Sequence, residues 1–193
     1  MTVAVVGEPS EAFNAMTQIG AVLLTAEGRI RDPADQISVE QPRSSEGAVE
    51  LIAAQGEFRM DLTAVPEAIT RIAIVLAVKP GSPRGTTFGV FASMSAWLKD
   101  AADLPLLRFP LPPANRGETA MILAELYRYQ GQWKFRAVGQ GFSAGLPRWR
   151  RILAFACPNR LLIVQALAVR RRAPSRIARR RQLIQRHRFL RSS

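Results

Sequence analysis

The side chains of this chain with chemical potential fall into three groups. The first is acidic: Asp32, Asp35, Glu40 and Glu46 fall in one turn-rich stretch. Carboxylates held in loops are what a hard cation such as calcium requires, at about six to eight oxygens per ion. These acids are irregularly spaced and interleaved with Arg29, Arg31 and Arg43, whose charges offset the field. Asp32, Asp35 and Glu46 are therefore only weak metal candidates; ordinary polar turns are the alternative, and no metal site or other cofactor is expected. The second group lies in "YRYQGQWKFRAVGQGF", Tyr127 to Phe142. Its alternation predicts a hairpin with Tyr127, Tyr129, Trp133 and Phe135 on one face and Arg128, Lys134 and Arg136 on the other. The aromatic face is either a stacking platform or the inner face of a sheet. The basic face is either an anion-binding strip or a solvated surface that pairs with Glu125 or Asp61. Gly139 and Gly141, flanking Gln140, form either a backbone nest for an oxyanion or a strand bulge. The third group is a lone Cys157 and a lone His187. Both lie in an arginine-rich segment rather than on a rigid element, so no Cys-His or Ser-His-Asp site is expected and the chain is not read as an enzyme.

Charge divides the chain sharply. Residues 1–147 hold all 15 acids and 13 of the 27 basic residues, a net −2, whereas residues 148–193 hold 14 arginines and no acid, a net +14. The +12 of the whole chain belongs to its last part. A boundary near residue 147 follows: a domain over 1–147 and an arginine-rich tail over 148–193, helical or disordered. Arg170, Arg171, Arg172, Arg179, Arg180 and Arg181 are its candidate polyanion contacts. Such a tail binds nucleic acid by counterion release, or lies on an anionic membrane, or is the product of a shifted reading frame with no structure of its own. "ILAFACPNRLLIVQALAV" is broken by Pro158, Asn159 and Arg160, so peripheral contact is favoured over spanning. One cysteine and no secretory signal in "MTVAVVGEPSEAF" fit the cytoplasm or the inner face of its membrane.

The elements that must position these groups read as strands. Short apolar runs rich in β-branched residues recur between glycine and proline signals, which predicts an all-β, two-sheet sandwich over residues 3–147. "IGAVLLTAEGRI" predicts a hairpin turning at Glu27-Gly28. "SSEGAVELIAAQGEFRMDL" predicts turns at Glu46-Gly47 and Gln55-Gly56. The unbroken run Ile72 to Val78 predicts a central strand buried on both faces. "TTFGVFASMSAWLKD" alternates from Phe88, with Trp97 expected inside. "ADLPLLRFPLPPANRGE" reads as a proline-broken connection.

"ETAMILAELYRYQGQWKFRAVGQGFSAGL", Glu118 to Leu146, resembles the terminal hairpin of the TerD family of tellurium-resistance and stress-response proteins. Glu118, Thr119, Ala120, Glu125 to Arg128, Gly131, Trp133 to Gln140, Gly141 and Gly145-Leu146 stand at that family's spacing. Weaker agreement in "MDLTAVPEAITRIAIVLAV" and "AVLLTAEGRIRDPAD" extends the resemblance over residues 12 to 146. It implies a β-sandwich, a non-enzymatic role in tellurite and general stress resistance, partners among other such proteins, and a scaffold in a cytoplasmic or membrane-associated complex. It also implies calcium bound by clustered carboxylates. Here the chain departs from the pattern, with Met16 and Gln18 at the acidic positions and "AAQGEF" in place of a long acidic loop. The resemblance is thus nearer the TerA-like members, with calcium binding weak or lost.

Overall fold

Strand formation follows where apolar and polar residues alternate between turn-forming glycines. The computed structural model describes residues 1–52, 56–111 and 117–143 and holds ten strands and one short helix among them. They are β1 (Thr2–Glu8), α1 (Ser10–Met16), β2 (Thr17–Leu24), β3 (Gln36–Ile37), β4 (Val49–Ile52), β5 (Glu57–Met60), β6 (Arg71–Val78), β7 (Ser93–Lys99), β8 (Pro105–Leu111), β9 (Ala120–Tyr129) and β10 (Gln132–Phe142). Two five-stranded sheets result, one in the order β4-β5-β1-β7-β8 and the other β10-β9-β6-β2-β3, with antiparallel neighbours throughout.

The inner faces of both sheets join in one core. Val3, Val5, Leu51, Phe58, Met94 and Leu98 from the first sheet belong to the same buried cluster as Leu23, Ile72, Ile74, Leu76, Met121 and Leu126 from the second. The predicted central strand is β6, and Ile72 to Ala77 are buried without exception. Its second buried face exists because the second sheet carries apolar residues outside as well. Val75, Ala77, Ala120 and Ile122 pack there beneath Val138 and Phe142, and Val22, Leu24 and Ala73 beneath Ile30.

Several expectations need correction. The chain does turn at Gly28, whose φ of +71° favours glycine, with Thr25 N donating to Arg29 O at 2.9 Å. The returning strand, however, is the later β3, which pairs Ile37 with Ala21 after a 3-10 turn over Pro33–Asp35. The β4–β5 hairpin forms as expected, although Gln55 lies outside the described residues. Phe88 and Val90 belong to a 3-10 turn ahead of β7 rather than to a strand, and Trp97 is half-buried instead of internal. The segment read as a proline-broken connection contains β8. Pro105 opens this strand and Pro110 lies within it, which is tolerated because β8 is a sheet edge. The arginine-rich residues 148–193, with Cys157 and His187, lie outside the described residues.

The pattern reading also missed β1 and α1. β1 runs centrally in the first sheet, between β5 and β7. The seven-residue α1 folds back on it through Phe13, which meets Phe91 edge to face with ring centroids 5.2 Å apart. Gly7 makes room for that ring. A Cβ at Gly7 would lie 2.2 Å from Phe13 Cδ2, well inside van der Waals contact. Gly7→Ala is expected to cost about 1–3 kcal/mol in denaturant melts, as overpacking does. In a Phe13→Ala background the same change should cost far less, because the two positions are coupled by contact.

Candidate functional site

The hairpin that carries most of the chemistry turns on two residues, Gln130 and Gly131, with φ of +51° and +75°. Such a two-residue turn with both φ positive matches the twist of the strands it joins. Tyr129 therefore pairs with Gln132, Arg128 with Trp133, Tyr127 with Lys134, and Glu125 with Arg136. Paired residues share a face, so the predicted segregation of aromatics from cations is wrong: each face carries both. Trp133 and Phe135 turn inward and pack, half-buried, against the main core. Arg128 goes with them. Tyr127, Tyr129, Lys134 and Arg136 share the outer face.

On the inner side, Arg128 and Trp133 work as one unit. The Arg128 guanidinium stacks 4.6 Å from the Trp133 ring centroid. Its Nε donates to Ile69 O at 3.0 Å, and its Nη2 to Val65 O at 2.8 Å and Pro66 O at 3.4 Å. Trp133 Nε1 donates to Leu62 O at 3.1 Å, and Arg128 N to Thr70 O at 2.8 Å. All five acceptors belong to the segment 62–70 that carries the chain from the first sheet to the second. The tip of the last hairpin is clamped on that crossing.

On the outer side, Glu125 is buried and receives the Arg136 guanidinium, with Nε at 2.8 Å and Nη2 also bonded to Oε2. Arg136 lies 5.1 Å from the Tyr127 ring, and Lys134 Nζ 5.9 Å from the ring of Tyr129, which is exposed. The expected pairing with Glu125 thus holds for Arg136 alone; Asp61 accepts from Thr63 instead. That bond holds the Asp61 carboxyl below the usual aspartate range. Gly139, with φ +64°, sits in the β-bulge between Ala137 and Gln140, and Gln140 is exposed. Gly141 is needed for a different reason: its missing Cβ would lie 2.5 Å from Glu118 Cγ. Glu118 Oε2 is buried with no hydrogen-bond partner among the described residues.

The acidic stretch is brought together, but around an arginine. Asp35 ends the 3-10 turn before β3 and is fully buried, and Arg31 grips both of its oxygens, Nη2 to Oδ1 at 2.7 Å and Nε to Oδ2 at 2.9 Å. The same Nη2 reaches Glu46 Oε1 at 3.0 Å. Asp35 foremost, then Glu46, holds the guanidinium still more firmly protonated than an ordinary arginine. Asp32 is turned away to cap Ala34 N at 2.8 Å, and Glu40 is occupied by the Ser38 hydroxyl. Met16 and Gln18, at the positions where the resemblance implies acids, offer no carboxylate. These residues do not fit a calcium ion: Arg31 fills the place where the acids converge, and among the described residues no group of three or more His, Cys, Asp or Glu is arranged to hold a metal.

A cavity of about 670 Å³ opens elsewhere, at one end of the first sheet, lined by Thr2, Glu50, Glu57, Arg59, Asp61 and Asp103 among others. The pattern reading did not find it, since its residues come from separate strands and loops. On its border Lys99 pairs with Glu57 at 2.6 Å and with Asp103 at 3.2 Å. No helix among the described residues is long and apolar enough to cross a membrane.

The model of the TerD domain matches residues 7–150. The tellurium resistance protein TerD of Serratia marcescens is 33% identical over 136 residues, 65% of this chain and 71% of that protein. General stress protein 16U of Bacillus subtilis is 32% identical over the same length, again 65% of this chain. Among solved structures, the homologue of telluride resistance protein (TerD) from Streptomyces coelicolor A3(2) superposes with a TM-score of 0.57 at 21% identity, covering 75% of this chain and 90% of that one.

Three outcomes are expected. Trp133→Ala should cost about 3 kcal/mol in denaturant melts, the low end for truncating a core aromatic, since the ring is only half-buried. Trp133→Phe, which keeps an aromatic ring beside Arg128 but loses the bond to Leu62 and part of the indole's contact, should cost about 1–2 kcal/mol. For Lys99, its hydrogen bond to Glu57 raises the ammonium pKa above the ordinary value. Its stabilising contribution is then complete below the unfolded lysine value of about 10.4 and is lost as pH climbs through the raised folded value. Melting curves across alkaline pH should accordingly fall less steeply for Lys99→Met than for the native chain.

Proposed function

The chain belongs to the TerD domain family, and from that premise we propose that it serves tellurite and general stress resistance as a non-enzymatic, calcium-independent scaffold. The observation that carries this reading is the use to which the family-motif hairpin is put. Arg128 and Trp133 brace the crossing between sheets, Glu125 and Arg136 close on each other, and Gly141 accommodates Glu118. A motif in which Arg128, Trp133, Glu125 and Arg136 spend their polar groups within the fold supports a rigid platform better than it supports turnover, which needs a nucleophile, base or oxyanion donor aimed at a substrate.

Calcium independence is supported by Arg31. A guanidinium bound to Asp35 and Glu46 repels a divalent ion from the position where the acids converge. The relatives' names, tellurium resistance protein and general stress protein, support the physiological setting. The partners proposed are other proteins of the same response. The +14 charge of residues 148–193 supports a second contact, to an anionic membrane surface on the cytoplasmic side or to nucleic acid.

In a host made tellurite-sensitive by loss of this gene, survival should track the stability of each variant. Lys134→Ala, at an exposed position, is expected to fold with less than about 0.5 kcal/mol of change, and Glu118→Gln keeps the side chain's shape while removing its charge; both should restore resistance. Abolition of resistance by either folded variant would argue for a catalytic group. Calorimetric titration of the full chain with calcium should yield no saturable heat in the micromolar range typical of sensor sites; saturation there would refute the calcium-independent reading.

A further inference from the structure

We propose that Asp35 and Glu46 form a cation site that the chain fills with its own Arg31, and that the site, once vacated, accepts a free guanidinium ion in preference to calcium. The first ground is burial. Asp35 has no solvent exposure, yet it carries two oxygens that need compensation. A buried carboxylate stripped of its partner is strongly unfavourable, so the cation is a requirement of the fold and not an ornament of its surface.

The second ground is shape. Three donors of one side chain and backbone converge on Asp35: Nη2 on Oδ1 at 2.7 Å, Nε on Oδ2 at 2.9 Å, and the Arg31 amide on Oδ2 at 3.1 Å. Two parallel N–H bonds to the two oxygens are the fork that a planar guanidinium makes and a spherical ion does not. Nη2 then donates a further bond to Glu46 Oε1 at 3.0 Å, so one nitrogen joins the turn before β3 to the loop before β4. Calcium would need about six to eight oxygens at closer range. Asp35 and Glu46 together offer four carboxylate oxygens, since Asp32 is engaged by Ala34.

The third ground is what surrounds the pair. Arg29 and Arg43 lie on the neighbouring loops, and Arg43 is committed to Glu50 at 2.6 Å. A monovalent planar donor restores the charge that the fold already holds between Asp35 and Glu46. The site therefore keeps the β2–β3 and β3–β4 connections in one arrangement without regard to the divalent ion concentration. This deepens the calcium-independent reading above and rests on it, yet fails separately. The native chain tests that reading; variants of Arg31 test the site.

The experiment is chemical rescue in the full chain. Arg31→Ala should lower the melting midpoint by about 10 °C. Methylguanidinium at about 20 mM should recover a measurable part of that loss by binding the folded state, after subtraction of its effect on the native chain. Tetramethylammonium at equal ionic strength, and calcium, should recover less. Arg31→Ala with Asp35→Asn removes the buried charge along with its partner, so it should regain much of the lost stability and lose the rescue. If Arg31→Ala alone does not fold, the double variant carries the test, and its failure to fold better overturns the proposal. A native midpoint in Arg31→Ala overturns it as well, as do equal rescue by tetramethylammonium and rescue by calcium that matches methylguanidinium.

Discussion

The stacked pair of Arg128 and Trp133 fixes how the two halves of the sandwich meet. The chain leaves the first sheet after Met60 and enters the second at Arg71, and the intervening segment must have its carbonyls satisfied at the rim of the core. An arginine fork and an indole N–H, both from the last hairpin, supply the donors to Leu62, Val65, Pro66 and Ile69. Unpaired, each of those partly buried carbonyls would cost about 1–3 kcal/mol. The clamp is also non-local: its two halves are some sixty to seventy residues apart in sequence. It is complete only where β9 is paired with β6 and β10 with β9, so it ties the crossing between the sheets to the finished edge of the second.

The remaining buried charges follow a similar logic. Glu125 with Arg136 and Asp35 with Arg31 are each a buried carboxylate held by a guanidinium that reaches toward solvent. Pairs of this kind add little net stability over apolar substitutes, since desolvation offsets most of the attraction, but breaking one partner is expensive. Their effect is to restrict register. A one-residue slip of β10 would carry Arg136 to the inner face and leave Glu125 buried and unpaired, so the pair penalises the alternative pairing that a regular hairpin otherwise permits.

How much of this was legible in the sequence depends on whether the signal was local. Ile72 to Ala77 form an unbroken apolar run whose shortness, β-branched residues and flanking turn signals favour a doubly covered strand over a buried helix. The turn glycines at Gly28, Gly47 and Gly56 all adopt positive φ, as their neighbours suggested. The faces of the last hairpin were misread for a definite reason. Treating Gln-Gly-Gln as the turn makes residues of like parity face together, while the actual two-residue turn of Gln130 and Gly131 pairs odd with even. One residue in the loop exchanges the whole set of side chains on one strand between inside and outside. β8 was hidden by its prolines, which argue against a strand unless it lies at an edge, and edge position is a property of the assembled sheet. Gly7 gave no signal, since its need for glycine comes from Phe13 folding back across the Glu8-Pro9 turn.

The same distinction bears on what the family resemblance carries over. The residues by which the chain resembles TerD proteins, Glu118, Glu125, Arg128, Trp133, Arg136, Gly139 and Gly141, are those that shape the second sheet and its junction with the first. Likeness there transfers the architecture directly. It says less about the acidic stretch, where Arg31 stands among the carboxylates and alters the chemistry without disturbing any strand. Two members of one fold can therefore agree over the hairpin and differ in what they bind, because the side chains that specify the sandwich and those that set its affinity for ions lie on different elements.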